Sequence, residues 1–312
     1  MGQQQTINND ISLYGLIALL LKNWIILSVC GIGFAVAAIA WSLTLPNVYT
    51  AETILMPVDG EQKDLSGLSG NLGGLAAMAG VSLGDKGGDN AKLAMELIKS
   101  RAFIGKFIED NDILVPLMAA QGWDMSTDTL DINPEVYDLK NKKWVRQVVA
   151  PFKPQPSLQE AHFAFLKILT IEEEPKTKFV TLEVDFYSPH IAAKWARALV
   201  DGINQEIRQM DLDESTRSIE YLQKISSEIQ VSELRNVFSS LMEEQIKSKM
   251  LAAVKKDYVF KIIDPAVAPE LKSKPKRGLI AFAAGFFGGI IGIIIILIRE
   301  GRRNHLLAQK AA

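Results

Sequence analysis

One cysteine and three histidines among 312 residues leave little of the chemistry that metal centres and nucleophilic active sites draw on. Cys30 lies inside an apolar run and reads as a small packing hydrophobe, so neither a disulfide framework nor a cysteine-based metal site is available. His162, His190 and His305 are far apart and in three different contexts, with neither metal-ligand spacing nor the order of a triad. His162 and His190 read as ordinary surface or cap-adjacent residues. No G-x-x-x-x-G-K-S/T motif occurs, which argues against nucleotide binding. An excess of one charge is also missing: 34 basic and 36 acidic residues give −2, so no nucleic-acid partner is expected. The carboxylates that do cluster, Glu172 to Glu174 and Glu243 with Glu244, read as solvated turns and helix faces. No catalytic residue, metal site or cofactor is expected.

Two stretches lack charge altogether, and they are the most informative part of the chain. Ile25 to Leu45 and Leu279 to Ile298 are uncharged apolar runs, each about 30 Å long as a helix and able to cross a hydrocarbon core. Everything from Pro46 to Gly278 then lies on one side of a membrane, tied to it at both ends. Ala38-Ile39-Ala40 has the small-x-small form of a signal-cleavage site, but only Lys22 is basic before the run and the apolar stretch continues past Ala40. The first run therefore reads as an uncleaved anchor. Charge does not orient the spans. Lys22, Arg299, Arg302, Arg303 and Lys310 on the tail side nearly balance Lys261, Lys272, Lys274, Lys276, Arg277 and the more distant Lys63 on the loop side.

Between the runs the sequence predicts an α+β domain: a small mixed sheet with helices, and one long protruding helix. Ile11 to Lys22 is amphipathic and suits the membrane face. Tyr49 to Val58 reads as a strand. Leu65 to Asn90 is a glycine-rich loop with a helical turn near Leu75 to Ala79, and Ala91 to Asn111 an amphipathic helix. Residues 112 to 156 are irregular. Their Trp123 and Trp144 either stack on sugar rings or pin the loop to its own domain. A short helix from Pro156 to Ala164 precedes strands at Phe165–Glu172 and Lys178–Tyr187. Ser188 and Pro189 then open a helix expected over 188–229, about 60 Å long, with a narrow apolar stripe. A stripe of that length needs a partner, either a return helix over Ser232 to Lys256 or a neighbouring subunit. The serines near 226 to 232 suit a break, and Tyr258 to Ile263 closes the domain as a strand.

Asp264 to Arg277 combines prolines, which forbid helix, with a basic cluster suited to lipid headgroups. In the spans, Gly285 with Gly289 and Gly288 with Gly292 form two overlapping G-x-x-x-G patterns; Gly31 with Ala35 and Gly33 with Ala37 repeat the small-residue theme.

These features together resemble the Wzz family, the chain-length determinants of lipopolysaccharide O-antigen, also called polysaccharide co-polymerases. The resemblance runs through Tyr49-Thr50-Ala51, Gly73 to Gly80, Leu97 to Arg101, Pro156 to Ala161 and Ala192 to Leu199. Its most specific part is Tyr258 to Ala266, followed by Pro269, Pro275, Lys276 and Arg277 ahead of the second span. It implies a cytoplasmic segment 1–24, a span 25–45, a periplasmic domain 46–278, a span 279–298 and a cytoplasmic tail 299–312 in the inner membrane of a Gram-negative cell. It also implies a non-catalytic, ring-shaped homo-oligomer that sets the modal chain length made by a Wzy-type polymerase. Membrane lipid and the undecaprenyl-linked glycan are the remaining expected partners. Pro265, Pro269, Pro275, Lys276 and Arg277 would form the polymerase or assembly motif. The long helix and its return are short beside those of the tallest members. With so short a tail after Arg299, the fused tyrosine-kinase domain of some related export proteins is not expected. A capsule or exopolysaccharide export adaptor, working with a separate cytoplasmic tyrosine kinase, is the alternative.

Overall fold

The computed structural model describes residues 19, 21–58, 86–228 and 232–311. Most of the amphipathic start, the glycine-rich loop with its turn near Leu75 to Ala79, and the break within 226–232 lie wholly or partly outside these residues. The chain divides into two units, 1–47 with 273–312, and 48–272.

In the first unit, helix α1 (Trp24–Leu43) packs along helix α8 (Arg277–Ala311). Both are long and apolar enough to cross a membrane. Helix α1 stops short of Pro46, with Thr44 as its last-turn cap. Helix α8 continues past Ile298 because the polar tail contains no proline to end it.

The second unit is built on a four-stranded sheet ordered β6-β7-β1-β8, from β1 (Tyr49–Pro57), β6 (Leu169–Glu173), β7 (Val180–Phe186) and β8 (Phe260–Asp264). Every pairing is antiparallel, which corrects the expected mixed sheet. The cause is local: a tight turn over Glu174 to Lys178, with Lys178 at φ 62°, folds β7 back on β6, so no crossover is needed there. Strand β7 alternates strictly, burying Val180, Leu182, Val184 and Phe186, and β1 answers with Tyr49, Ala51, Thr53 and Leu55. The Thr53 hydroxyl donates to the Asp264 carbonyl at 2.8 Å, joining β1 to β8 beside a register shift at Ile54/Leu55.

Helices cover the buried face. The expected helix Ala91–Asn111 is two, α2 (Lys86–Ile98) and α3 (Arg101–Asp110). Ser100 breaks it: its backbone is extended and its hydroxyl accepts from the Phe103 N–H, capping α3. The stretch expected to be irregular holds helix α4 (Leu114–Ala119) and two small hairpins, β2 (Ala120–Asp124) with β3 (Thr129–Ile132), and β4 (Tyr137–Asp138) with β5 (Lys143–Trp144). Helix α5 (Leu158–Leu166) begins at a full capping box between Ser157 and Glu160. Arg146 reaches from the preceding loop to Glu160 at 2.8 Å and also donates to the carbonyls of Lys153 and Pro154, so this loop is braced by hydrogen bonds.

The long helix α6 (Pro189–Glu228) rises from this core, and α7 (Ser232–Val254) returns alongside it. Ser188 caps α6 through the Ile191 N–H. The foot of α6 buries Trp195, Leu199, Val200, Ile203 and Ile207 against the sheet and α2. Phe107, Phe165, Trp195 and Phe186 form a chain of ring contacts through the core.

Candidate functional site

The helix pair separates glycines that have identical spacing in the sequence. A Cβ on Gly31 or Gly285 would sit 3.4 or 3.5 Å from the other's carbonyl, an ordinary close approach. A Cβ on Gly288 would meet the Phe34 Cβ at 2.8 Å and the Cys30 carbonyl at 2.9 Å, so only glycine fits without movement. A Cβ on Gly292 would lie 3.3 Å from the Cys30 Cβ and 3.4 Å from the Leu27 Cα. A Cβ on Gly33 or Gly289 would meet nothing from the rest of the structure within 4 Å. Gly31, Gly285, Gly288 and Gly292 therefore line one contact, and Gly33 and Gly289 stand outside it.

The proline-basic segment contains no helix before Arg277. Within the 48–272 unit, the Ala266 carbonyl between Pro265 and Pro269 accepts from the Arg197 guanidinium, while Val267 and Leu271 are exposed. Within the other unit, Pro275 and Lys276 precede α8, and Arg277 donates to the Asn47 side chain at 3.2 Å.

Both candidate sugar-stacking tryptophans have ring partners in their own domain. Trp123 packs edge-on against Tyr49 at 5.6 Å, lies 6.3 Å from His190, and donates its indole N–H to Asp128. Trp144 faces Tyr137 across the β4/β5 pair at 4.9 Å. These contacts engage part of each ring, and both side chains remain partly exposed.

His190 is exposed near the start of α6, whereas His162 is buried, with its Nε2 2.9 Å from the Lys99 carbonyl. The surface reading of His162 is thereby corrected: it ties α5 to the break between α2 and α3. Among the described residues no three histidine, cysteine, aspartate or glutamate side chains converge in a way that could hold a metal ion.

At the foot of α6 the structure assembles a polar network that no sequence motif announced. The buried Asn204 amide donates to the Phe260 carbonyl and accepts from the Val259 and Phe260 N–H groups, each at 2.9 Å. One turn on, Arg208 donates to the Lys256 carbonyl at 2.7 Å and lies 5.9 Å from the Tyr258 ring centre. The Tyr258 hydroxyl donates to Asp211; burial first, and then the Asp211 carboxylate, raise its pKa above the usual tyrosine range. Helical spacing puts 204, 208 and 211 along one side of α6, but nothing local in the sequence indicates that the returning chain meets them there.

A comparison with the curated proteins finds no match. Among solved structures, a full-length bacterial polysaccharide co-polymerase is similar at 15% identity and a TM-score of 0.36, covering 94% of this chain and 98% of that one. A fragment of WzzB, a polysaccharide co-polymerase from Salmonella Typhimurium, is similar at 13% identity and a TM-score of 0.30, covering 73% and 100%. Two family models match the sequence itself. Residues 220–301 match the GNVR model, described as "G-rich domain on putative tyrosine kinase". Residues 9–111, which take in α1 and β1, match the Wzz model, described as "Chain length determinant protein", so that the first third of the chain is similar to that family.

Proposed function

We propose that this protein is a non-catalytic, oligomeric regulator that sets the modal chain length of O-antigen polysaccharide made by a Wzy-type polymerase. The observation that carries the reading is the match of residues 9–111 to the chain length determinant model. On this reading the chain sits in the inner membrane on α1 and α8, with residues 46–278 in the periplasm and both termini in the cytoplasm. Copies assemble as a ring, with the polymerase, the surrounding lipid and the undecaprenyl-linked glycan as partners. Pro265, Pro269, Pro275, Lys276 and Arg277 form the assembly or polymerase motif, and Gly33 and Gly289 remain for contacts beyond the pair. Deleting the gene and resolving lipopolysaccharide on a gel tests the reading: a clustered ladder is expected to become an unregulated one. An unchanged ladder rejects it.

The GNVR match over residues 220–301 favours a second reading, an export adaptor for capsule or exopolysaccharide that works with a separate tyrosine kinase. Loss of capsule with normal lipopolysaccharide in the same deletion identifies that case.

A further inference from the structure

The outward side of the α6 foot borders a groove of about 510 Å³, closed on its other side by the chain returning from α7. Asp201, Gln205, Arg208 and Gln209 come from α6, and Lys256 and Asp257 from the return. The four α6 residues follow one another at helical spacing opposite the buried stripe of Leu199, Ile203 and Ile207. The volume falls in the range of small-molecule sites, but the walls are far more polar than those of a typical apolar pocket.

The chemistry of the walls narrows the ligand. Two carboxylates face two cations, so the groove has no net charge to attract a free ion. Carboxylates only accept hydrogen bonds, guanidinium and ammonium groups only donate, and glutamine amides do both. A polyhydroxylated ligand, whose every hydroxyl can donate and accept, suits such a mixture. The side chains of Asp201, Gln205 and Asp257 make no hydrogen bond or ion pair with another described residue. Arg208, by contrast, is pinned between the Lys256 carbonyl and the Tyr258 ring, and its enclosed Nε has no acceptor among the described residues. A guanidinium held this way loses little freedom on meeting a ligand oxygen.

We propose that this groove binds a short stretch of polysaccharide, with Asp201, Gln205 and Asp257 on sugar hydroxyls beside the fixed Arg208. The proposal rests on the chain-length reading for the kind of glycan, and extends it by placing direct contact at the root of the long helix instead of at Trp123 or Trp144.

The test uses the full chain in lipid nanodiscs. The probe is O-polysaccharide released by mild acid from lipopolysaccharide of the strain that carries the gene, with dextran as the comparison. Saturation-transfer NMR and a titration are expected to show binding of the O-polysaccharide. An Asp201→Ala, Gln205→Ala double variant is expected to weaken it about tenfold, the loss of two modest hydrogen bonds, with an unchanged melting temperature. Undiminished binding in the double variant overturns the groove as the site. An absence of binding to the wild-type chain, while gene deletion still abolishes the clustered ladder, overturns the groove and leaves the chain-length reading standing. Groove-dependent binding alongside a ladder indifferent to deletion supports the groove and rejects that reading.

Discussion

The two halves of helix α6 are one continuous helix with two different reasons to exist. From Pro189 to Ile207 its inner side is buried in the sheet and neighbouring helices. From Met210 to Ser226 only Ser215 is buried, and Tyr221 is 63% exposed. The return helix α7 repeats the pattern, with Ala252 buried near its end and Met250 and Val254 open. Core burial therefore holds the foot, whereas the shaft depends on helix-forming residues and its pairing with α7. The shaft has room for substitution without loss of fold, and the inner side of the foot has almost none.

Mutations can break that contrast. The largest effect is expected for Leu199→Ala, which removes a fully buried side chain and should cost about 2–5 kcal/mol, against at most about 0.5 kcal/mol for Tyr221→Ala. Thermal melting of the full chain in nanodiscs measures both; equal losses would refute the division. Asn204→Ala should cost roughly 1–3 kcal/mol by the same measurement, because two N–H groups and one carbonyl of the return lose their partner.

A smaller contrast is expected in the helix pair. Gly288→Ala places a methyl against Phe34 and the Cys30 backbone, at a cost of about 1–3 kcal/mol, and Gly289→Ala meets nothing. Cys30 reports the difference: its modification by a membrane-permeant maleimide should accelerate in Gly288→Ala alone. The smallest effect is on acid stability. Burial pushes the Glu160 carboxyl up, but the Ser157 N–H and the Arg146 guanidinium outweigh it and hold the group below the ordinary range. Its contribution is thus complete above about pH 4.3 and fades as pH falls through the lower folded value. Glu160→Gln should flatten the acid limb of a melting-temperature profile, and an unchanged limb would remove Glu160 from the account.

The elements legible in the sequence are those set by local rules. The two apolar runs, the alternation in β1 and β7, and the Ser188-Pro189 start of α6 each need only a short window to read. What was missed depends on contacts distant in sequence. Ser100 looks like any serine within an apolar pattern until its backbone turns and caps α3. The hairpins over 120–144 are too short to show an alternation. The sheet is antiparallel instead of mixed because strand direction depends on how the strands are joined across the domain. The choice of Gly288 and Gly292 over Gly289 depends on which side of α8 meets α1, and the Arg208 groove exists only because the return lands on the foot of α6.

The strand order has a mechanical consequence. The 48–272 unit begins just before β1 and ends eight residues after β8, and these strands are antiparallel neighbours. The start of β1 and the end of β8 therefore run toward the same end of the sheet, with the pairing covering Ile54–Pro57 against Phe260–Asp264. Force applied between the two ends of this unit therefore opens the β1–β8 pairs one after another, as a zipper does, instead of shearing them all at once.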